Sequence, residues 1–567
     1  MLFILLSWIY ILVTTVNLGI GLNRITRNSS NDDFVVTVFK GLFLATILAS
    51  FWAIFGRINW EFHLFLLITN LLLYSKFKSD INTVYQSFAS DFLKLSKSLQ
   101  LYLAIVFFLI VAQCASIPFI IDNETYYIQT IKWLNEYGFV QGLANLHIFF
   151  GQTSGWHITQ SVFNFSFIYT NFNDLSGFCL FLGNVFAIQK LNSYFSTTYK
   201  LHLIIGLLPI ANVLLFQFIS APSPDIVVYV VSFIVLFYFI ENYNTISIES
   251  FKTIVVLVLF LFYCKPTSFL MFLLPLILLI VNYKKIRPHV FSCFVLCLLI
   301  LGLFITKNTI LTGYPLFPTT SLAFNNYDFK VPKELADYHF NQQRLYRFFL
   351  TKEEFHSLSF YEKCLRWISM DKISGWFNVL SVIMVIVLPY FIKKGFNQRA
   401  YWIVYFLMVV QLVVLITTSP QFRFFIHFNL FFGFLIASLI VKKKRLIQFG
   451  LYLSLILVSI MLFFPIKYNY LTQNQLIMDN SKFSRRNTVF PHHNSKLKTT
   501  FHTVKNGNLT YFSPENYVFF WANGNGKLPC VNVRQIDYFG SRFHYVPQLR
   551  TSQLKDGFYS KKWLPND

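Results

Sequence analysis

Charge is scarce in this chain, and acids are the scarcest part of it. Of 567 residues only 13% are charged, and 24 Asp and Glu stand against 47 Lys and Arg. A soluble domain carries about 25% charged residues. Hydrophobic residues make up 55% of the chain and aromatic residues 19%, and the mean hydropathy is +0.54, which excludes a soluble protein. Cysteine is sparse too: there are seven, and Cys114, Cys179, Cys264, Cys293 and Cys297 fall inside apolar runs. No Cys-x-x-Cys and no His/Cys metal spacing occurs, so cysteine points to no redox or zinc chemistry. Cys364 and Cys530 alone lie in polar segments, and a disulfide between them stays open. There is no internal repeat and no low-complexity tract. The first residues are apolar, without a basic leader or small-residue cleavage site, so the sequence predicts a retained first helix rather than a signal peptide.

Long apolar runs are what the chain has in plenty. They fall near 1–22, 34–56, 60–76, 101–121, 172–190, 201–219, 224–242, 251–264, 266–283, 288–306, 374–392, 400–418, 422–441 and 447–465. With ~20 apolar residues to a crossing, this predicts an all-α polytopic membrane protein of about fourteen transmembrane helices. Phe (69 residues) is read as filler of lipid-facing helices. The net charge of +23 would suggest nucleic acid in a soluble protein, but here topology explains it. Lys76, Lys78, Lys94 and Lys97, then KKIR (284–287), KK (393–394) and KKKR (442–445), all fall on one face if the helices alternate. The positive-inside rule makes that face cytoplasmic and puts both termini outside.

Function is therefore expected on the outer face, where the long loops 122–171 and 307–373 and the tail 466–567 lie. The first 100 residues read as N-terminal transmembrane helices with a cytoplasmic linker, 101–465 as the core, and 466–567 as a small mixed or β-rich outer domain. In the tail, YVFFWANGNGKLPCVNV reads as strand, turn and strand. In the first loop Ile128, Ile131, Leu134 and Tyr137 recur at helical spacing, predicting short amphipathic helices flat on the interface with Trp133 as an anchor.

Asp122 and Glu124 stand where the run 101–121 ends, and charge at such an edge is costly to bury and usually functional. Asp225 follows the rigid Ser-Pro turn of SAPSPD. Lys265 interrupts an apolar stretch, where a lone cation costs ~2.5–3.5 kcal/mol unless paired or snorkelling. Lys307, Arg344, Arg347 and Arg423 supply further cations; Gln152, Ser154, His157 and Asn308 supply polar groups; Trp133, Trp156 and Tyr314 supply aromatic faces. Each has a bland reading as a helix end, interfacial anchor or loop residue, and their joint placement on one face is what points to chemistry. A carboxylate at a membrane surface can act as general base toward a hydroxyl. Cations beside it can neutralise a phosphate leaving group. Aromatic and amide side chains suit a sugar ring. A lipid-linked sugar phosphate meets all of these demands.

On these residues the chain resembles the GT-C superfamily of integral-membrane glycosyltransferases, and more closely the uncharacterised bacterial polytopic proteins related to it. The likeness rests on the acid at the head of the first loop, the second acid in SAPSPD, Lys-Pro-Thr in CKPTSF (264–269), KNTILTGYPLFP (307–318) and PQFR (420–423), over about 101–465. It implies Asp122 as catalytic base assisted by Glu124; Lys265, Arg423 and Lys307 on the donor phosphate; and Asp225, Trp156, His157, Asn308 and Tyr314 toward acceptor or sugar. Some members of that superfamily bind a metal at the second acid, which would be Mg or Mn at Asp122 and Asp225 here; the single Asp in place of an acidic pair weighs against one. The N-terminal helices are extra to the pattern, and no sequon-binding motif is visible.

The sequence thus predicts an inverting transfer of sugar from a polyprenyl-phosphate donor to a glycan, lipid or protein acceptor, with no cofactor other than that metal and with the lipid bilayer, not nucleic acid, as surroundings. The alternatives are a transporter or flippase of lipid-linked saccharide, and a polysaccharide polymerase or ligase leaning on Arg and His. Heavy use of Phe, Lys, Asn and Ile fits an AT-rich bacterial genome, which places the protein in an inner membrane with its active face periplasmic.

Overall fold

The computed structural model describes all residues except 27–32, 170–173, 324–326, 349, 472–482, 517–518 and 564–567. Each of the fourteen apolar runs is helical over most of its length. Among the described residues, nine helices are long and apolar enough to cross a membrane, against the fourteen expected. Pro266–Val281 and Ile426–Ile440 are apolar but shorter. Ile248–Cys264 has 17 residues. Leu175–Thr197 carries Asn184, Gln189, Lys190 and Asn192, and Trp60–Leu93 turns polar beyond a kink at Phe77. The apolar pattern marks where helices form, whereas crossing length depends on caps and kinks that shorten several of them.

Burial separates inner helices from outer ones. Phe34–Ala53 and Pro224–Glu241 have 83% and 89% of their membrane-length windows buried, against 17% for Tyr283–Thr312 and 33% for Lys372–Gly395 and Lys444–Phe463. The outer helices expose Phe291, Phe294, Trp376, Ile386, Phe449 and Ile456. Water would not tolerate an apolar belt of this extent, and a bilayer is the solvent that fits it. Loops sort to two ends. At one end Lys200 Nζ donates to Gly395 O (3.2 Å), Lys252 Nζ to Thr26 O (2.7 Å), Asn282 Nδ2 to Tyr243 O (3.4 Å), and Arg24 pairs with Asp80. This end holds the basic runs. The site lies at the other.

The first loop forms a π-turn, Asn123–Tyr127, running into the helix Ile128–Glu136. It does not lie flat on an interface as expected. Ile128, Ile131, Trp133 and Leu134 are all buried. Ile58 N donates to Leu134 O (2.9 Å), Asn59 Nδ2 to Asn135 O (2.9 Å) and Asn135 Nδ2 to Ile58 O (2.7 Å). The N-terminal helices thus wall this loop on one side, and the tail covers another. Its apolar spacing does mark a helix, but the partner is protein rather than lipid.

The tail forms two antiparallel hairpins, Phe501–Asn506 with Leu509–Pro514 and Tyr545–Leu549 with Phe558–Lys562, around the helix Val533–Phe543. The expected strand–turn–strand at YVFFWANGNGKLPCVNV is not a hairpin. Residues 517–518 within it lie outside the described residues, and Asn523 and Gly524 donate their backbone N–H groups to Glu124 O (2.9 and 3.0 Å). Gln129 Nε2 donates to Gly524 O and Gly526 O (2.8 and 3.1 Å). The loop therefore satisfies backbone groups that cross-strand pairing would have used. Gly142 sits at φ +62 with Phe558 O against the place of a Cβ, so only glycine lets the last strand approach there. All seven cysteines are free, and Cys530 Sγ faces Asn523 O (3.3 Å) rather than Cys364.

Candidate functional site

Four charged residues from four distant parts of the chain meet at one point. Asp122 precedes the π-turn. Asp225 lies in the first turn of Pro224–Glu241, where Ser223 Oγ accepts its backbone N–H (3.4 Å) and Pro224 presets the helical φ. Lys265 is the extended residue capping Ile248–Cys264, and Arg423 lies in the 3-10 turn Phe422–Phe424. Arg423 Nη1 donates to Asp122 Oδ2 (2.6 Å) and lies 3.8 Å from Asp225 Oδ2, while Lys265 Nζ pairs with Asp225 Oδ1. Phe424 presents its ring to both cations, 4.0 Å from Lys265 Nζ and 5.2 Å from the Arg423 guanidinium. Two acids and two bases cancel, which is what allows such a cluster to be held largely out of solvent.

The cluster is graded from closed to open. The side chain of Asp225 is 2% exposed and that of Lys265 14%, against 17% for Asp122 and 21% for Arg423. Asp122 and Arg423 are thus the members a ligand reaches first. Burial and the neighbouring guanidinium push the Lys265 ammonium well below the usual lysine range, against the pull of Asp122. Arg423 goes upward because Asp122 and the tyrosines beside it outweigh its own burial.

Beside the cluster is a buried donor with no acceptor among the described residues. His157 Nδ1 accepts the Ser154 N–H (3.3 Å) in a capping box, which assigns the ring proton to Nε2. Nε2 is buried and has no partner among the described residues. Burial holds the imidazole down at about 3, with Lys307 pushing the same way and Asp122 opposing, so the ring is neutral. The ring centroid is 4.5 Å from that of Tyr127, whose hydroxyl lies 3.5 Å from Asp122 Oδ2. An orphaned buried donor costs ~1–3 kcal/mol, and a ligand oxygen would remove that cost.

The remaining expected residues are placed otherwise. Glu124 is buried under the tail. Its Oε1 accepts from Lys496 N (2.7 Å) and Asn123 Nδ2 (3.2 Å) and its Oε2 from Ser495 Oγ (2.6 Å). Trp156 is wholly buried with Nε1 donating to Ser176 Oγ (3.1 Å), so it offers no sugar platform. Tyr314 donates to Val331 O (3.0 Å), and Asn308 Nδ2 to Pro315 O (3.2 Å). Lys307 donates to Thr153 O (2.6 Å) and Asn308 Oδ1 (2.9 Å); it backs the His157 ring instead of joining the cluster. Trp133 is buried against Phe558. Arg344 and Arg347 fall on the helix Lys333–Phe348, with side chains outside the described ones.

Sequence reasoning passes over three supporting residues. Tyr229 donates to Arg423 O (2.7 Å), Gln421 Oε1 accepts from Arg423 Nε (2.7 Å), and Phe424 underlies both cations. Tyr229 stands four residues after Asp225, one helical turn on, and that spacing is the available signal. A divalent cation does not fit this donor set. To reach both carboxylates it would have to displace Lys265 and Arg423, and among the described residues no three His, Cys, Asp or Glu gather as ligands.

A family described as Domain of unknown function (DUF8201) matches residues 1–431, taking in the N-terminal helices together with the core. No curated protein and no solved structure matches the chain.

Proposed function

We propose that this chain, which belongs to the DUF8201 family, is a membrane glycosyltransferase of inner-membrane location, moving sugar from a polyprenyl-phosphate donor to an acceptor hydroxyl on the outer face. One observation carries the reading: Asp122, Asp225, Lys265 and Arg423 close into a single ion-paired cluster whose open edge is an acid beside a guanidinium. A lone acid would suit many reactions, and a lone cation would suit any anion. Together they match a reaction that takes a proton at one point and releases a phosphate at the next.

In that reaction the donor phosphate draws Arg423 toward itself, as guanidinium groups bind phosphate oxygens in bidentate fashion. This releases Asp122. The acceptor oxygen attacks the anomeric carbon from the face opposite the phosphate. The new C–O bond forms as the anomeric C–O(phosphate) bond breaks, the electron pair leaves with polyprenyl phosphate, and the acceptor proton passes to Asp122. The product is inverted. Arg423 and Lys265 stabilise the charge growing on the phosphate. Asp225 holds Lys265 in place, and His157 Nε2–H donates to a sugar or phosphate oxygen.

The test is Asp122→Asn against wild type in a deletion strain, at matched membrane insertion, reading lipid-linked sugars and surface glycans. The expected result is loss of transfer with accumulation of donor lipid. Full complementation by Asp122→Asn would sink catalysis by this carboxylate and favour a transporter, or a polymerase relying on Arg and His.

A further inference from the structure

The helix Phe360–Ile368, started by a Ser359/Glu362 capping box, is strongly two-sided. At 100° per residue Phe360, Cys364, Ile368, Tyr361 and Leu365 fall on one arc of ~140°. Phe360, Tyr361 and Leu365 on that arc are 57%, 70% and 47% exposed, while Cys364 is half-buried and Ile368, at the far end, packs against the core. Trp367 instead turns inward, 3% exposed, and its Nε1 donates to Pro420 O (3.2 Å). Beyond a short turn the chain enters Lys372–Gly395, whose exposed side chains Trp376, Val379, Ile383, Ile386 and Tyr390 recur every three or four residues down one face. The apolar arc thus precedes, by a short turn of chain, a helix face that a bilayer covers, and Trp376 (80% exposed) stands in the first turn of that helix, as aromatic anchors do at headgroup level.

We propose that Phe360–Ile368 lies in the headgroup layer of the bilayer with its apolar arc on lipid, and that it braces the turn carrying Arg423 against the membrane surface. The brace has two contacts. Trp367 holds Pro420, and Phe377 stacks on Phe422 at 5.0 Å and 17°. Asn378 Nδ2 donates to Trp367 O (2.8 Å) and ties the two helices together. Arg423 follows directly, so its guanidinium is held at the depth where a lipid phosphate resides. The inference rests on the membrane-spanning reading of Lys372–Gly395, not on the transferase chemistry.

Photo-crosslinking of the full chain in phosphatidylethanolamine/phosphatidylglycerol nanodiscs carrying a radiolabelled phospholipid tests it. Benzoylphenylalanine replaces Tyr361, Trp376 or Glu353 in turn, the last as an exposed polar control. The expected result is lipid label at 361 within about twofold of that at 376 and at least tenfold above 353. Label at 376 with none above control at 361 overturns the proposal. A band of twice the mass at 361 overturns it in favour of a second copy of the chain. Absence of label at both 361 and 376 overturns it together with the spanning reading it rests on.

Discussion

Asp225 shows how little freedom each charge in the cluster has. Its carboxylate is almost wholly buried and is held by Lys265 on one oxygen, with Arg423 3.8 Å from the other. Breaking a buried pair by removing one partner costs ~3–5 kcal/mol, because a charge is left without its counterion. Lys265→Met should therefore lower the unfolding free energy in detergent by about that amount. Lys265→Met with Asp225→Asn should recover most of it, since no uncompensated charge then remains. Chemical-denaturation midpoints of the two variants decide this, and equal losses in both would mean that the pair is not coupled. The acid, the Pro-rich turn and the lone Lys are each visible in the sequence. Their pairing is not, because residues 40 and about 200 positions apart meet only once the helices pack.

Glu124 illustrates the same point for an element. Two positions from Asp122, it looks like a second active-site acid, yet the π-turn sends it to the tail, where Ser495 and Lys496 take it. Burial raises its pKa above the ordinary 4.5, with those hydrogen bonds opposing. A carboxyl raised on folding contributes stability that is complete below its unfolded pKa and is lost as pH rises through the folded one. Glu124→Gln keeps the acceptor for Lys496 N and can donate to Ser495 Oγ. Relative to wild type the variant should therefore gain stability from about pH 4.5 upward, levelling off above the raised pKa, at ~1.4 kcal/mol for each pH unit separating the folded and unfolded values. Resistance of the tail to limited proteolysis across that range measures the gain; a constant difference at all pH values would show that Glu124 does not titrate there.

At the scale of the whole molecule, one continuous hydrophobic core runs from Ile4 through the central helices to Phe558 in the tail. The N-terminal helices are therefore part of the body that shapes the site: Thr46 meets Thr159 at 2.6 Å, on the helix that bears His157. The two ends of the molecule differ in kind, one holding the basic loops and the other the cluster and tail. The positive-inside rule then predicts sidedness. Lys285→Cys should react with a membrane-impermeant maleimide only in permeabilised cells, and His502→Cys in intact spheroplasts. The reverse pattern would turn the site to the cytoplasm and remove an outer-face acceptor.

The sequence alone determined that the chain is rich in apolar helices fit for a membrane, and where those helices form. Those properties follow from local hydropathy and charge, which each segment carries within itself. The tertiary structure decided the rest. It chose Asp122 over Glu124 for the open edge, put Trp156 and Tyr314 into the interior, and spent the Asn-Gly turns of the tail on Glu124 instead of a hairpin. It also set Arg423 between two acids. Each outcome depends on which distant backbone or side-chain group arrives to satisfy a buried polar atom, and no local pattern encodes that arrival.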